Sequence, residues 1–158
     1  MNNKTSNFIK IIIILAVVVM MINCSSEKSQ NIDLVNQYYF AMMNGDSSIA
    51  ESILSSSFTK INNGNREKVI GPEVLHKSIR DHQSRNSEYA YILEEIFSDK
   101  QFVAVRWRWK SINIKTGTPR EMDIPGLAIF RIDSGKIATQ WQSFDMVMFE
   151  KQLAGDDK

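Results

Sequence analysis

The chain has 158 residues, 43% of them hydrophobic, and 19 Lys and Arg against 18 Asp and Glu give it a net charge of +1. That length is enough for one domain with its own core. The near-neutral balance offers no electrostatic footprint for nucleic acid, and a single cysteine excludes an internal disulfide.

The N-terminus reads as a leader. Lys4 and Lys10 precede an unbroken apolar run from Ile11 to Ile22. Crossing a bilayer core takes about 20 apolar residues. The run is shorter and ends in a polar, serine-rich stretch, which are the proportions of a signal peptide. Cys24 follows directly, and Met21-Ile22-Asn23-Cys24 resembles a lipobox that departs from the commonest form at Met21 and Asn23. The expectation is a lipoprotein of the cell envelope. Residues 1–23 form the signal peptide, acyl chains on Cys24 hold the protein at a membrane lipid surface, 24–31 form a flexible tether, and 32–158 form one domain. Losing Lys4 and Lys10 leaves 17 basic against 18 acidic residues, a mature charge of −1.

Ile32 to Asn44 carries Leu34, Val35, Tyr38 and Met42 at helical spacing and stops at Gly45. Asp46 is a favoured N-cap for a second, shorter helix to about Leu54. Phe58 to Ile61 predicts a short strand ended by the turn Asn62-Asn63-Gly64-Asn65. Gly71-Pro72 opens a third helix to about Ser84, with proline at the first position, where its missing N–H costs little. Strands then follow over Tyr89–Phe97, Gln101–Lys115, Glu121–Ile132 and Lys136–Phe144, and a short helix over Met146–Leu153 closes the chain. In the second of these strands Val103, Val105, Trp107 and Trp109 face one way, while Phe102, Ala104, Arg106 and Arg108 face the other. Helices first and consecutive antiparallel strands last make an α+β fold.

Several residues draw attention. Trp107, Trp109 and Trp141 either pack a core or subunit contact or line a ligand pocket. Arg106 and Arg108 either meet an oxygen of a ligand or lie solvated or paired on an open sheet face. Tyr38 and Tyr39 belong either to a helical core or to a pocket mouth. His76 and His82 stand six residues apart on one helix, about 240° around it, so they share no face. With no His-Glu-x-x-His and no cysteine pair, no metal site is indicated. No Gly-x-Ser-x-Gly elbow and no phosphate loop occurs either.

The order Phe102-Val103-Ala104-Val105-Arg106-Trp107, Thr116-Gly117, Ile124-Pro125-Gly126-Leu127-Ala128-Ile129-Phe130, Gly135-Lys136-Ile137, Trp141, Asp145 and Gln152-Leu153 resembles the SnoaL-like polyketide cyclase (ester cyclase) family of the nuclear transport factor 2-like superfamily. Asn44-Gly45-Asp46 and Gly71-Pro72-Glu73 match its helix breaks more loosely. The resemblance spans roughly Ile32 to Ala154. It implies a cone-shaped barrel in which a curved antiparallel sheet packs on three N-terminal helices around a deep pocket. It also implies homodimers paired across the open sheet face, for which the Trp107/Trp109 row is a suitable apolar patch. The family's cyclases close a ring in a polyketide ester by an intramolecular aldol reaction, without metal or organic cofactor. An aspartate near the end of their last long strand serves as general acid/base, and Asp145 holds that position.

Counting by two, Ile137, Thr139, Trp141 and Ser143 share the face of Asp145, which would set it at a pocket rim against an apolar wall. The other reading of Asp145 is the N-cap of the last helix. The chain departs from the family in lacking a histidine at Phe58–Asn62, and in having Asn86-Ser87-Glu88 where Phe-Pro-Asp is common. Two functions stand side by side. One is a membrane-anchored pocket protein for a small hydrophobic ligand or a protein partner; the other is a cyclase-like enzyme acting on a carbonyl compound. Export favours the first, because polyketide tailoring normally occurs inside the cell.

Overall fold

A computed structural model describes residues 28–155, so the expected signal peptide and Cys24 lie outside the described residues. Helix α1 spans 28–44 and begins four residues before the predicted start. The expected tether is therefore already helical from Lys28. Asn31 is buried and donates from Nδ2 to the carbonyl of Lys100 at 2.7 Å, and Lys28 pairs with Asp99 at 3.3 Å. Those two contacts tie the added turn to the far end of the sheet.

The remaining elements are α2 (Ala50–Ile53), β1 (Leu54–Asn62), β2 (Asn65–Arg66), α3 (Glu73–Arg85), β3 (Asn86–Asp99), β4 (Phe102–Asn113), β5 (Arg120–Asp133), β6 (Lys136–Phe144) and α4 (Met146–Ala154). Helix α2 is shorter than expected. Asp46 accepts the Ser48 N–H at 2.9 Å and so closes a turn ahead of the helix, whose own N-cap, Ile49, makes no side-chain bond. No helix among the described residues is long and apolar enough to cross a membrane.

The six strands form one curved, unclosed sheet in the order β2-β1-β6-β5-β4-β3. All neighbours are antiparallel except β1 and β6, which run parallel because the chain crosses from one to the other through α3 and the β3–β5 meander. The concave face is covered by helices. On α1, Val35, Tyr38, Tyr39 and Met42 recur at i, i+3, i+4 and i+7 and are all buried. Tyr38 and Tyr39 stack their rings edge-on against Phe130 of β5.

The alternation in β4 holds as predicted. Val103, Val105, Trp107 and Trp109 are buried, and Arg106 is exposed. The two tryptophans therefore lie inside the protomer, 3% and 8% exposed, and form no patch on the open face. Trp107 has room because Gly126 stands opposite it on β5: a Cβ at that glycine would land in the indole ring.

Two bulges redirect side chains. A register shift between Leu93 and Glu95 turns both Glu94 and Glu95 to the outer face. There they clamp Arg106, while Arg108 bridges Glu94 and Asp123. A second shift, between Arg131 and Ile132 of β5 opposite β6, breaks the count by two along β6. Ile137 and Gln140 are both buried, and Trp141 is 38% exposed on the outer face beside Ile129. The expectation that Ile137 and Trp141 share a face fails at this bulge.

Candidate functional site

Between α3, the concave face of the sheet and α4 lies a cavity of about 310 Å³. Helix α3 turns Ser78, Asp81, His82 and Arg85 toward it, a run at i, i+3, i+4 and i+7, with Lys77 beside them. From β1 come Lys60 and Asn62, which share the inner face of that strand with Phe58. Tyr91 of β3 and Trp107, Trp109 and Asn113 of β4 form the opposite wall. Ile124, Phe144 and Phe149 close the apolar end.

Lys60 carries its amine deep into the protein. The residue is 6% exposed, and Nζ donates to Ser78 Oγ at 3.2 Å. Burial pushes this amine down to about 8; Glu67 and Asp81 oppose the shift, and Lys77 adds to it. Near the cavity, Glu67 accepts from Asn62 Nδ2 at 3.0 Å and faces Lys77 at 3.7 Å, and Lys77 in turn bonds Asp81 at 2.6 Å.

His82 sits in an aromatic cage. Its ring stacks on Tyr89 at 5.3 Å and meets Trp109 and Tyr91 edge-on at 5.7 and 5.8 Å. His82 Nε2 and Tyr91 Oη share a hydrogen bond of 3.1 Å. Burial pushes the imidazole down to about 4, helped by the positive charges of Lys60 and Arg85, so the ring is neutral at pH 7. The indole Nε1 atoms of Trp107 and Trp109 and the Oδ1 of Asn62 are buried without a hydrogen-bond partner among the described residues.

Of the residues singled out in the sequence, Trp107, Trp109 and His82 line this cavity, while Tyr38, Arg106, Trp141 and Asp145 do not. Tyr38 is fully buried and donates its hydroxyl to Gln140 Oε1 at 2.9 Å, in the core beneath the cavity. Arg106 and Trp141 are on the outer face. Asp145 is exposed and accepts the Met148 N–H at 2.9 Å, as the N-cap of α4. The pocket rim drawn for it rested on the unbroken count along β6. The sequence points to His82 only as a metal-ligand candidate and does not mark Lys60. A signal for His82 existed: it extends the buried stripe Leu75 and Ile79 by one further turn of α3. Among the described residues, no three His, Cys, Asp or Glu side chains gather into a metal-binding group.

Two outcomes follow from these placements. Asparagine caps a helix about as well as aspartate, so Asp145→Asn should melt with the wild type, whereas Asp145→Ala should lose about 1 kcal/mol of stability. Equal melts for all three proteins would remove the capping role. His82 has a folded pKa of about 4 against an ordinary 6.5, so the unfolded chain takes up its proton first as pH falls. Its neutral form costs nothing above pH 6.5, and stability drains away between there and about pH 4. Urea melts should show about 2 kcal/mol lost from this group between pH 7 and pH 5. His82→Gln should flatten that slope, and an unchanged slope in the variant would contradict a buried neutral imidazole.

The family model for SnoaL-like polyketide cyclases matches residues 32–153. No curated protein matches the sequence. Among solved structures, a SnoaL-like protein of Jannaschia sp. CCS1 superposes with a TM-score of 0.71 at 15% identity, over 81% of this chain and 94% of that one. TsrD of Streptomyces laurentii gives 0.69 at 19% identity, over 80% and 96%. An LEH-like epoxide hydrolase of M. tuberculosis gives 0.67 at 22% identity, over 82% and 93%. At such identities these likenesses speak for the fold, and the match over 32–153 speaks for descent: the chain belongs to the SnoaL-like polyketide cyclase family.

Proposed function

We propose that the protein binds a small molecule in the cavity, one with an apolar, preferably aromatic body and an oxygen that accepts hydrogen bonds. The observation that carries this reading is the pair of indole N–H groups, Trp107 and Trp109, buried without acceptors in the wall of one cavity. A buried donor left unpaired costs about 1–3 kcal/mol. A ligand oxygen that reaches either N–H recovers that cost and a solely apolar ligand does not. The volume of about 310 Å³ stands at the small end of ligand pockets. Ile124, Phe144 and Phe149 supply the apolar lining such a ligand needs.

The three tryptophans make a test convenient, because Trp141 lies outside the cavity. Titration with acetophenone should quench indole emission to saturation in the wild type and equally in Trp141→Phe. Trp107→Phe should bind roughly tenfold more weakly, the worth of about one hydrogen bond. Quenching that disappears with Trp141 alone, or that never saturates, would overturn the reading.

We also propose that this pocket works at a membrane, tethered through acylated Cys24. The support is the Lys4/Lys10 leader and the apolar run that ends at the single cysteine. Intact mass of the membrane fraction should show residues 1–23 removed and acyl chains added, and Cys24→Ser should abolish both changes. A full-length, unmodified mass would defeat the anchor.

A further inference from the structure

Lys60 lacks both customary reasons for burying a lysine. Lysines normally run their stems along apolar surface and leave the ammonium in water, or they meet a carboxylate. The Lys60 amine does neither. It is withdrawn from solvent, and no carboxylate among the described residues comes within 4 Å of it. The nearby acids are occupied elsewhere, Glu67 with Asn62 and Lys77, and Asp81 with Lys77. Among the described residues its one hydrogen bond goes to Ser78 Oγ, a neutral oxygen.

The other groups facing the cavity sharpen the point. Lys77 and Arg85 on α3 are cations, Asp81 and Glu67 are the acids engaged by Lys77, and His82 is a neutral base, while Tyr91 on β3 is held protonated by burial. The amine is thus desolvated, a circumstance that makes a lysine nucleophilic; of the charges around it, Lys77 adds to that effect while Glu67 and Asp81 oppose it without reaching the amine. In agreement, it titrates near 8, so a useful fraction is unprotonated at neutral pH.

We propose that Lys60 captures the carbonyl carbon of a small ketone or aldehyde as an imine within the cavity. This deepens the pocket reading and rests on it. The Nζ lone pair attacks the carbonyl carbon, and the C=O π pair moves to oxygen. One amine proton passes to that oxygen to give a carbinolamine. The second amine proton and the hydroxyl then leave as water while the C=N bond forms. The step neither oxidises nor reduces anything, and its only by-product is water. Ser78 Oγ holds the amine in place, and the apolar end of the cavity receives the ligand's body. Burial favours a neutral product over a charged one, so a β-diketone, whose imine relaxes to a neutral enaminone, is the best-matched member of the class.

Benzoylacetone added to the full chain tests this. The expected product is one adduct per chain, heavier by one diketone less one water, with an enaminone absorbance band. Peptide mapping should put it on Lys60 at a level about tenfold or more above any other lysine. Lys60→Met keeps the stem and removes the amine; it should quench with the diketone and form no adduct. Adducts scattered over other lysines, an adduct that survives in Lys60→Met, or indole quenching without any adduct would overturn the lysine's role and leave the pocket standing. Neither quenching nor adduct in the wild type would overturn both. Mapping on the wild type decides the matter even where the variant fails to fold.

Discussion

One hydrogen bond, from Lys60 Nζ to Ser78 Oγ, joins the two halves of the molecule across its cavity. Lys60 belongs to β1, on the parallel side of the sheet, and Ser78 to α3, the helix that covers it. Holding an amine out of water is costly. The cost is borne because α3 lies near enough to supply a hydroxyl, and the same placement turns His82 and Arg85 into the cavity one and two turns further along the helix. The polar contents of the site are thus largely the inner face of one helix set against one strand. The sheet supplies the aromatic wall.

That wall depends on a size complement between strands. Trp107 lies opposite Gly126, so the indole spreads where any other residue would put a side chain. The outer face follows different rules: Glu94, Glu95 and Asp123 hold Arg106 and Arg108 in an exposed ion-pair network. Exposed pairs of this kind contribute little stability each. Their effect is to keep the charges of β4 on the side away from the cavity. The sheet therefore presents an aromatic inner face, with Lys60 on it, and a charged outer face.

Much of this was legible in the sequence. The helix order, the four long strands and the alternation of β4 follow from periodicity and turn residues, because those signals are local. The face of Trp141 was not legible. Strand parity is reliable only while the ladder is regular, and the bulge beside Ile132 depends on how β5 and β6 pair. Asp145 was drawn to a pocket rim by the same count, and its capping bond to Met148 is the local interaction its position invites. The run Phe58 to Asn62 was read for the histidine it lacks. Parity from the buried Phe58 already turned Lys60 inward, and only the meeting of β1 with α3 gives that lysine a site. The opening turn of α1 escaped detection because its anchor, the carbonyl of Lys100, lies 69 residues away.

The central claim is that the Lys60 amine is buried at the cavity and gives up its proton more readily than a surface lysine. Its titration in the folded protein addresses this most directly, through the NMR shift of the carbon-13-labelled Cε followed from neutral to strongly basic pH, with the Lys60→Met spectrum fixing the assignment. The account predicts a midpoint near 8, set apart from every surface lysine. A midpoint at the ordinary value of 10.5 would mean that the amine is solvated, and the account of the site would fail.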